Sequence, residues 1–218
     1  MVSKVFSGAV VGASLDCGFW FNNKMARKII AALADSTLFL REWIVNPQRT
    51  GSVAPSSPQL GAAMARWLPR NPESFILELG PGTGAVTAAL LKSGLREDRL
   101  IAIEHNPTLA KLLRKRFPHA RIITGDAWEM DTLLAELPEP VASVGAVISS
   151  LPLLNFPKAQ ADALAEKIRA VLEPRGRLVQ YSYHLVKDRS RGTDDFKLVA
   201  SKIVWWNLPP ARVHVFQK

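Results

Sequence analysis

The pattern of hydrophobic and polar residues predicts alternating strands and helices along most of the chain. Short apolar runs between turn residues indicate buried strands, and longer stretches with apolar residues three or four positions apart indicate helices. The predicted strands are Phe75–Leu79, Leu100–Glu104, Arg121–Thr124, Val144–Ser149 and Arg177–Tyr183. The predicted helices are Gln59–Leu68, Ala85–Ser93, Thr108–Phe117, Met130–Leu137 and Lys158–Leu172. This alternation predicts an α/β domain over residues 71–218, with a parallel sheet covered by helices on both faces.

Different patterns precede and follow these elements. Residues 201–218 contain two β-rich runs on either side of Pro209 and Pro210 and predict a final hairpin. Residues 24–45 place apolar side chains at helical spacing among basic ones and predict amphipathic helices. A loop rich in proline and hydroxyl side chains follows at 46–58. Residues 25–70 are therefore expected to form an N-terminal helical extension with a substrate or cofactor loop.

Residues 1–24 allow two interpretations. Lys4 and the apolar run from Val5 to Leu15 are similar to a secretory signal. Asp16 before Cys17 and the lack of a clear A-x-A cleavage site argue against export, and a tail ahead of a start near Met25 explains the stretch equally well. No stretch reaches the roughly 20 apolar residues that span a bilayer, so no transmembrane helix is predicted.

Composition and charge narrow the possible partners. The chain of 218 residues is 48% hydrophobic and 22% charged, which is typical of a folded protein with a substantial core. A single cysteine excludes an intramolecular disulfide and suits a reducing cytoplasm. The 28 Lys and Arg against 19 Asp and Glu give a net charge of +9, which attracts nucleic acid or anionic lipid headgroups. No metal site is predicted.

A glycine-rich turn follows the first predicted strand in "ILELGPGTGAVT", residues 76–87. Gly80, Gly82 and Gly84 permit a sharp turn and let a ligand approach the backbone closely. A nicotinamide dinucleotide uses a similar turn, so the glycines alone do not identify the ligand. Glu78 stands beside the turn, where a carboxylate repels a pyrophosphate and attracts an ammonium or sulfonium group. This charge favours S-adenosylmethionine as the cofactor.

Polar residues at the next strand ends complete the predicted cofactor site. Glu104 ends the second strand, where it is placed to accept both ribose hydroxyls. Asp126 follows the third strand and is expected to accept the adenine amino group while Ala127 offers its backbone N–H; alternatively, Asp126 is a helix N-cap. The predicted cofactor-binding set also contains His105, Ser149 and, in the loop ahead of the domain, Ser52.

The glycine turn and the three acids Glu78, Glu104 and Asp126 resemble the class I S-adenosylmethionine-dependent methyltransferases over about residues 70–218. The resemblance implies a Rossmann-like doubly wound sheet of seven strands with an antiparallel last strand, which suits the terminal hairpin. It also implies that the loop after the fourth strand, "VISSLPLLNFP" at 147–157, faces the transferred methyl group.

This acceptor loop lacks the features that hold a nucleobase. Amine methyltransferases acting on bases usually carry an Asn or Asp, then a proline, then an aromatic ring that stacks on the base. Here the stretch is Ser150-Leu151-Pro152-Leu153, with no amide before the proline and no ring after it. An aliphatic wall of this kind suits a lipid, unless the leucines simply belong to the core.

Several stretches are similar to the bacterial phospholipid N-methyltransferase family: "FLREWIVNPQRTGSVAPSS" (39–57), the glycine motif, "GDA", "SSLPLLNFP" and "NLPPARV" (207–213). The resemblance implies a cytoplasmic enzyme, peripheral on the inner membrane, that converts phosphatidylethanolamine toward phosphatidylcholine. An ornithine-lipid N-methyltransferase and an RNA adenine-type methyltransferase are the alternatives. The basic N-terminal helix is expected either to lie on an anionic membrane surface or to pack on the domain, and no nucleic-acid partner is expected.

The expected catalytic groups lie at the ends of the fourth and fifth strands. A substrate amine must be neutral to attack, and its positioning should supply most of the rate. Backbone carbonyls around Ser150 and Leu151 are expected to orient the amine. Tyr181, Tyr183 and His184 are the candidates for accepting its proton.

Overall fold

The computed structural model describes residues 56–151, 153, 156–183 and 193–218. The predictions for residues 1–55, which include the tail, the amphipathic helices and Ser52, lie outside the described residues, as does that for His184. The first described helix, α1, spans Pro58–Ala65. Ser57 caps it by accepting the Leu60 N–H at 3.1 Å, and proline is favourable in the first helical turn because its missing N–H needs no partner there.

Seven strands form one sheet in the described part of the chain. They are β1 (Ile76–Leu79), β2 (Leu100–Glu104), β3 (Arg121–Thr124), β4 (Val144–Ser149), β5 (Leu172–Ser182), β6 (Lys197–Val204) and β7 (Ala211–Gln217). Their order across the sheet is β3-β2-β1-β4-β5-β7-β6. Strands β1 to β5 pair in parallel, and β7 runs antiparallel to both β5 and β6. The predicted Rossmann-like sheet with an antiparallel last strand is confirmed.

Helices cover both faces of this sheet, as the alternating pattern predicts. They are α2 (Ala85–Lys92), α3 (Pro107–Arg116), α4 (Met130–Ala135) and α5 (Lys158–Val171). Apolar residues of α1 and α2 pack with one set of strand residues, and those of α4 and α5 pack with the set that faces the other way. Because the central strands β1, β2 and β4 are buried along their whole length, polar residues within them stand out as candidates for function.

The start of β5 differs from the prediction. The sequence predicts a strand that begins at Arg177, and the residues Pro174 and Gly176 just before it are typical of turns. Instead β5 begins at Leu172 and contains an irregularity, across which the pairing with β4 shifts between Val144 and Ala146. Arg175 has a φ of 63° in this irregular segment, which takes up the extra residues.

Candidate active site

The glycine turn after β1 has the backbone conformation that only glycine adopts readily. Gly80, Gly82 and Gly84 have φ values of 70°, 58° and 81°. A Cβ on Gly84 would lie 2.8 Å from both Leu113 and Phe117, so this glycine allows the turn to pack against the α3 region. A Cβ on Gly82 would meet nothing within 4 Å, so the space above Gly82 is open to a ligand.

The substitution Gly84→Ala is expected to reduce the free energy of unfolding by about 1–3 kcal/mol more than Gly82→Ala. Both alanines would adopt positive φ at a similar cost, but only the one at position 84 would collide with packed side chains. Urea unfolding of the two variants measures the difference. Equal losses of stability would show that the packing of α3 adjusts without cost.

Glu78 is a fully buried carboxylate in the strand that leads into this turn. The Thr87 hydroxyl of α2 donates to Glu78 Oε2 at 2.7 Å, whereas Oε1 is buried and has no hydrogen-bond partner in the described structure. Burial raises the pKa of the Glu78 carboxyl to about 7; the hydrogen bond from Thr87 lowers it and the charge of Glu104 raises it. A buried carboxylate with an unpaired oxygen is stabilised by a cation placed beside it.

Glu104 fastens the glycine turn to the start of α3. Its Oε2 accepts the Gly82 N–H and its Oε1 accepts the Asn106 N–H, both at 2.9 Å. Asn106 in turn caps α3 by accepting the N–H of Thr108 at 2.9 Å. Each carboxylate oxygen can accept more than one hydrogen bond, so the binding of ribose by Glu104 stays a prediction. His105, between the two, is exposed.

Asp126, which follows β3, is the N-cap of a short helix. Its Oδ1 accepts the Trp128 N–H at 3.0 Å and begins the short 3-10 helix Ala127–Glu129. The alternative interpretation of Asp126 as a helix cap is therefore confirmed. Adenine binding by Asp126 and by the buried Ala127 stays a prediction, which the capping role does not exclude because the carboxylate has further acceptor capacity.

Hydrogen bonds from backbone N–H groups hold the first residues of the acceptor loop after β4. The Ser150 N–H donates to the Leu79 carbonyl at 2.9 Å, which joins the loop to β1. The hydroxyl of the buried Ser149 accepts the Leu151 N–H at 3.4 Å. The Leu151 carbonyl accepts the Leu153 N–H at 2.9 Å. The Leu151 carbonyl accepts one hydrogen bond within the loop but has a second lone pair, so its expected role in orienting the amine stays a prediction.

The two described leucines of this loop have different environments. Leu153 is buried in the core formed with α4 and α5, so it cannot form the aliphatic wall that the sequence suggested. Leu151 is half-buried and lies against the glycine turn, where a Cβ on Gly80 would be 2.9 Å from its Cδ2. Among the described residues of the loop, Leu151 therefore provides the apolar surface beside the turn.

Tyr181 and Tyr183 stand at the end of β5 with their rings edge to face, 5.6 Å apart. Tyr181 is buried against the α1 side of the sheet, and its hydroxyl accepts that of Ser56 at 3.4 Å. Burial, together with the neighbouring Tyr181, raises the pKa of the Tyr183 hydroxyl above its ordinary value. A phenol with a raised pKa keeps its proton at neutral pH, which disfavours Tyr183 as a proton acceptor.

The strand register brings the main candidates to one edge of the sheet. Leu79 pairs with Ile103 on one side and with Ser149 on the other, so Glu78, Glu104 and the acceptor loop lie at the carboxyl ends of three adjacent strands. This carboxyl edge is where open α/β sheets bind ligands. The open space above Gly82 and the unpaired Glu78 oxygen fit a cofactor that carries positive charge.

Two residues that complete this arrangement were missed from the sequence. Thr87 satisfies one oxygen of Glu78 from the first turn of α2, and no pattern identifies this contact before the fold is known. Asn106 was recognisable in principle, because an asparagine directly before a proline is a typical helix start.

Comparison with known proteins identifies the family. Residues 76–176 match the family model described as a methyltransferase domain. The chain is 31% identical over 147 residues to an ornithine lipid N-methyltransferase of Singulisphaera acidiphila. This match covers 66% of this chain and 76% of that protein. It is also 31% identical over 81 residues to ribosomal RNA small subunit methyltransferase A of Chlorobium chlorochromatii, but there it spans only 30% of the relative.

A solved structure supports the same fold. The 1,6-didemethyltoxoflavin-N1-methyltransferase of Burkholderia thailandensis, determined with 1,6-didemethyltoxoflavin and S-adenosylhomocysteine bound, matches with a TM-score of 0.57 at 17% identity. The match covers 88% of this chain and 89% of that one. With its mixed seven-stranded sheet, glycine turn and buried acid, the chain belongs to the class I S-adenosylmethionine-dependent methyltransferases, and S-adenosylmethionine is its cofactor.

Proposed function

We propose that the protein methylates the amine of a lipid headgroup at a membrane surface, with phosphatidylethanolamine and ornithine lipid as the candidate acceptors. The observation that carries this proposal is the 31% identity to an ornithine lipid N-methyltransferase across 76% of that protein. This match of 147 residues is longer than the 81 residues matched by the ribosomal RNA methyltransferase. No helix in the described part of the chain is long and apolar enough to cross a membrane.

The acceptor loop supports a lipid amine rather than a nucleobase. Leu151 offers an aliphatic surface beside the glycine turn, and Leu153 is buried in the core. The described aromatic residue of the loop, Phe156, packs edge to face on Trp128 with ring centroids 4.8 Å apart. The Trp128 indole also donates to the Gln160 carbonyl at 3.3 Å. A stacking base would have to disrupt this pair, whereas a small aliphatic amine requires no ring.

Different residues at the carboxyl edge would bind different parts of the cofactor. S-adenosylmethionine supplies a methyl group on a positively charged sulfur. Glu78 would hold the cationic part of the cofactor through its unpaired Oε1, and the open turn at Gly82 would admit it. Glu104 would accept the ribose hydroxyls, and Asp126 with Ala127 would hold the adenine.

The acceptor amine needs a free lone pair, so it must lose its proton before the new carbon–nitrogen bond forms. The carbonyls of Ser150 and Leu151 would orient the amine, and that of Leu151 would use its second lone pair because it already accepts the Leu153 N–H. Tyr181 remains a candidate for relaying the proton, since its hydroxyl already takes part in a hydrogen bond with Ser56.

Radiolabelled S-adenosylmethionine supplied with vesicles that contain phosphatidylethanolamine and ornithine lipid is expected to label a lipid, as thin-layer chromatography would show. The position of the labelled product identifies the preferred headgroup. A parallel reaction with total RNA serves as the comparison. Label in RNA with none in lipid would contradict the proposal.

An RNA methyltransferase is the second candidate. The net charge of +9 and the similarity to ribosomal RNA small subunit methyltransferase A favour it. That similarity is confined to 37% of this chain, however, and leaves most of the relative unmatched. The RNA reaction described above distinguishes the two candidates.

A further inference from the structure

The turn between β6 and β7 exposes three large apolar side chains. Trp205, Trp206 and Leu208 are 66%, 83% and 87% exposed. Adjacent exposed residues of this size are unusual on a soluble surface and mark contact sites. Tryptophan in particular concentrates at the interface of membranes, where an apolar ring with one polar N–H is favourable.

The strand register places this turn at the carboxyl edge, with the acceptor loop. Val204 pairs with Ala211 at the closed end of the hairpin, and the next residue of β7, Arg212, pairs with Ser182 at the end of β5. Strand β5 pairs in turn with β4, whose last residue leads into the acceptor loop. Three strand spacings separate β4 from β6, or about 14 Å across the sheet.

Hydrogen bonds fix the backbone of this turn, and that backbone conformation keeps the three apolar side chains exposed. Asn207 lies between the exposed Trp206 and Leu208 but is itself buried. Its Oδ1 accepts the Ser57 N–H at 2.8 Å, and its Nδ2 donates to the Pro209 carbonyl at 2.7 Å. These bonds hold the turn against the start of α1 and leave the flanking side chains in solvent.

The charge of the hairpin favours an anionic bilayer over a protein partner. Two basic residues, Lys202 and Arg212, lie close to the turn, and residues 197–218 contain no Asp or Glu. Basic residues near an anionic lipid surface strengthen binding there. Three side chains of a single turn also provide far less area than a stable protein interface requires.

We propose that Trp205, Trp206 and Leu208 insert into the headgroup region of an anionic membrane and thereby hold the carboxyl edge of the sheet at the lipid surface. This attachment point would add to the membrane contact that the sequence predicts for the basic residues 24–45. The role of the turn in presenting a lipid amine to the acceptor loop rests on the proposed function, whereas its binding to the membrane does not.

Vesicles of phosphatidylethanolamine and phosphatidylglycerol, with part of the lipid brominated on its acyl chains, test the insertion. The wild-type protein is expected to sediment with these vesicles, and the bromines are expected to quench its tryptophan emission. Replacing Trp205, Trp206 and Leu208 together with serine should weaken the partitioning more than about tenfold. The Trp205→Phe, Trp206→Phe double variant should bind within about threefold of wild type but lose much of the quenching.

The matched control is Leu198→Ser with Val199→Ser. Leu198 and Val199 are 46% and 38% exposed and lie near the opposite end of β6. Their replacement therefore removes exposed apolar surface far from the turn. This variant should partition like the wild type. Since all the altered side chains are exposed, thermal unfolding should stay close to that of the wild type for each variant.

The proposal is overturned if the wild-type protein neither binds nor is quenched, or if the triple serine variant binds as tightly as the wild type. The second outcome would place the attachment elsewhere, for example in residues 1–55. A methylation assay on the same vesicles separates this proposal from the proposed function. Insertion without lipid labelling would refute only the lipid substrate, and lipid labelling without insertion would refute only the role of the turn.

Discussion

Replacing Glu78 with glutamine is expected to weaken the binding of S-adenosylmethionine by more than about 100-fold at pH 7.5. Glutamine has nearly the same shape and can still accept the hydrogen bond from Thr87, which is 2.7 Å long in the wild type. It has no charge, however, to stabilise a cationic group beside the buried Oε1 position. Isothermal titration calorimetry measures the change. The exposed Glu166→Gln variant on α5 removes the same formal charge far from the turn and should bind normally.

The same residue should make cofactor binding depend on pH. Because the pKa of the Glu78 carboxyl is raised to about 7, a proton must leave when a cation binds at lower pH. The affinity of the wild type should therefore fall from pH 7.5 to 5.5, by up to about tenfold per pH unit, and that of Glu78→Gln should not. The measurements should not go above pH 7.5, because the α-amino group of the cofactor itself loses its proton at about pH 7.7–8.0.

S-adenosylhomocysteine identifies which cation Glu78 meets. It keeps the ammonium group but lacks the positive sulfur. An equal loss of affinity for both ligands would assign Glu78 to the ammonium, and a loss confined to S-adenosylmethionine would assign it to the sulfonium. Normal binding of both ligands by Glu78→Gln would show that neither cation lies beside this carboxylate.

The fold was predictable because its central strands are short, mostly apolar runs between turn residues. Strands β1, β2 and β4 are buried along their length, and such runs stand out without any knowledge of their neighbours. The first part of β5 was not predictable in this way. Pro174 and Gly176 favour a turn locally, and the pairing of Leu172 with Val144 outweighs that preference.

In the site, too, features set by a local sequence pattern were predictable and contacts between distant residues were not. Glu78 and the three glycines lie next to one another in the sequence, so their chemistry could be inferred from spacing alone. The partners of these residues come from elsewhere in the fold: Leu151 contacts the turn at Gly80, and Thr87 satisfies one oxygen of Glu78. Their roles follow from tertiary packing, which no local pattern specifies.

Burial was also hard to predict in the acceptor loop and the final hairpin. Leu153 and Trp206 both belong to apolar stretches, yet Leu153 is in the core and Trp206 is in solvent. Hydrophobicity alone treats them alike. Trp206 is exposed because the adjacent Asn207 accepts the Ser57 N–H and fixes the turn, a contact between residues 150 positions apart.

Without cofactor, the Glu78→Gln variant is expected to be more stable than the wild type at pH 8 by about 3 kcal/mol. The folded protein has a Glu78 pKa of about 7, against 4.5 for the ordinary value. Below pH 4.5 the carboxyl is protonated in both the folded and the unfolded states, so it contributes no difference. Between pH 4.5 and about 7 the unfolded chain loses this proton while the folded protein keeps it, so stability falls over that interval. Above pH 7 the loss levels off, because the carboxyl is then charged in both states and is buried only in the folded one.

Urea unfolding from pH 5 to pH 8 measures this effect as a growing difference between Glu78→Gln and the wild type, while Glu166→Gln should show no comparable trend. A difference that did not change with pH would contradict the raised pKa. Saturating S-adenosylmethionine should then remove most of this difference, because ligand at 100 times its dissociation constant adds about 2.7 kcal/mol to the wild type and much less to a variant that binds it about 100-fold more weakly. The carboxylate that destabilises the empty fold is thus the group expected to make cofactor binding favourable.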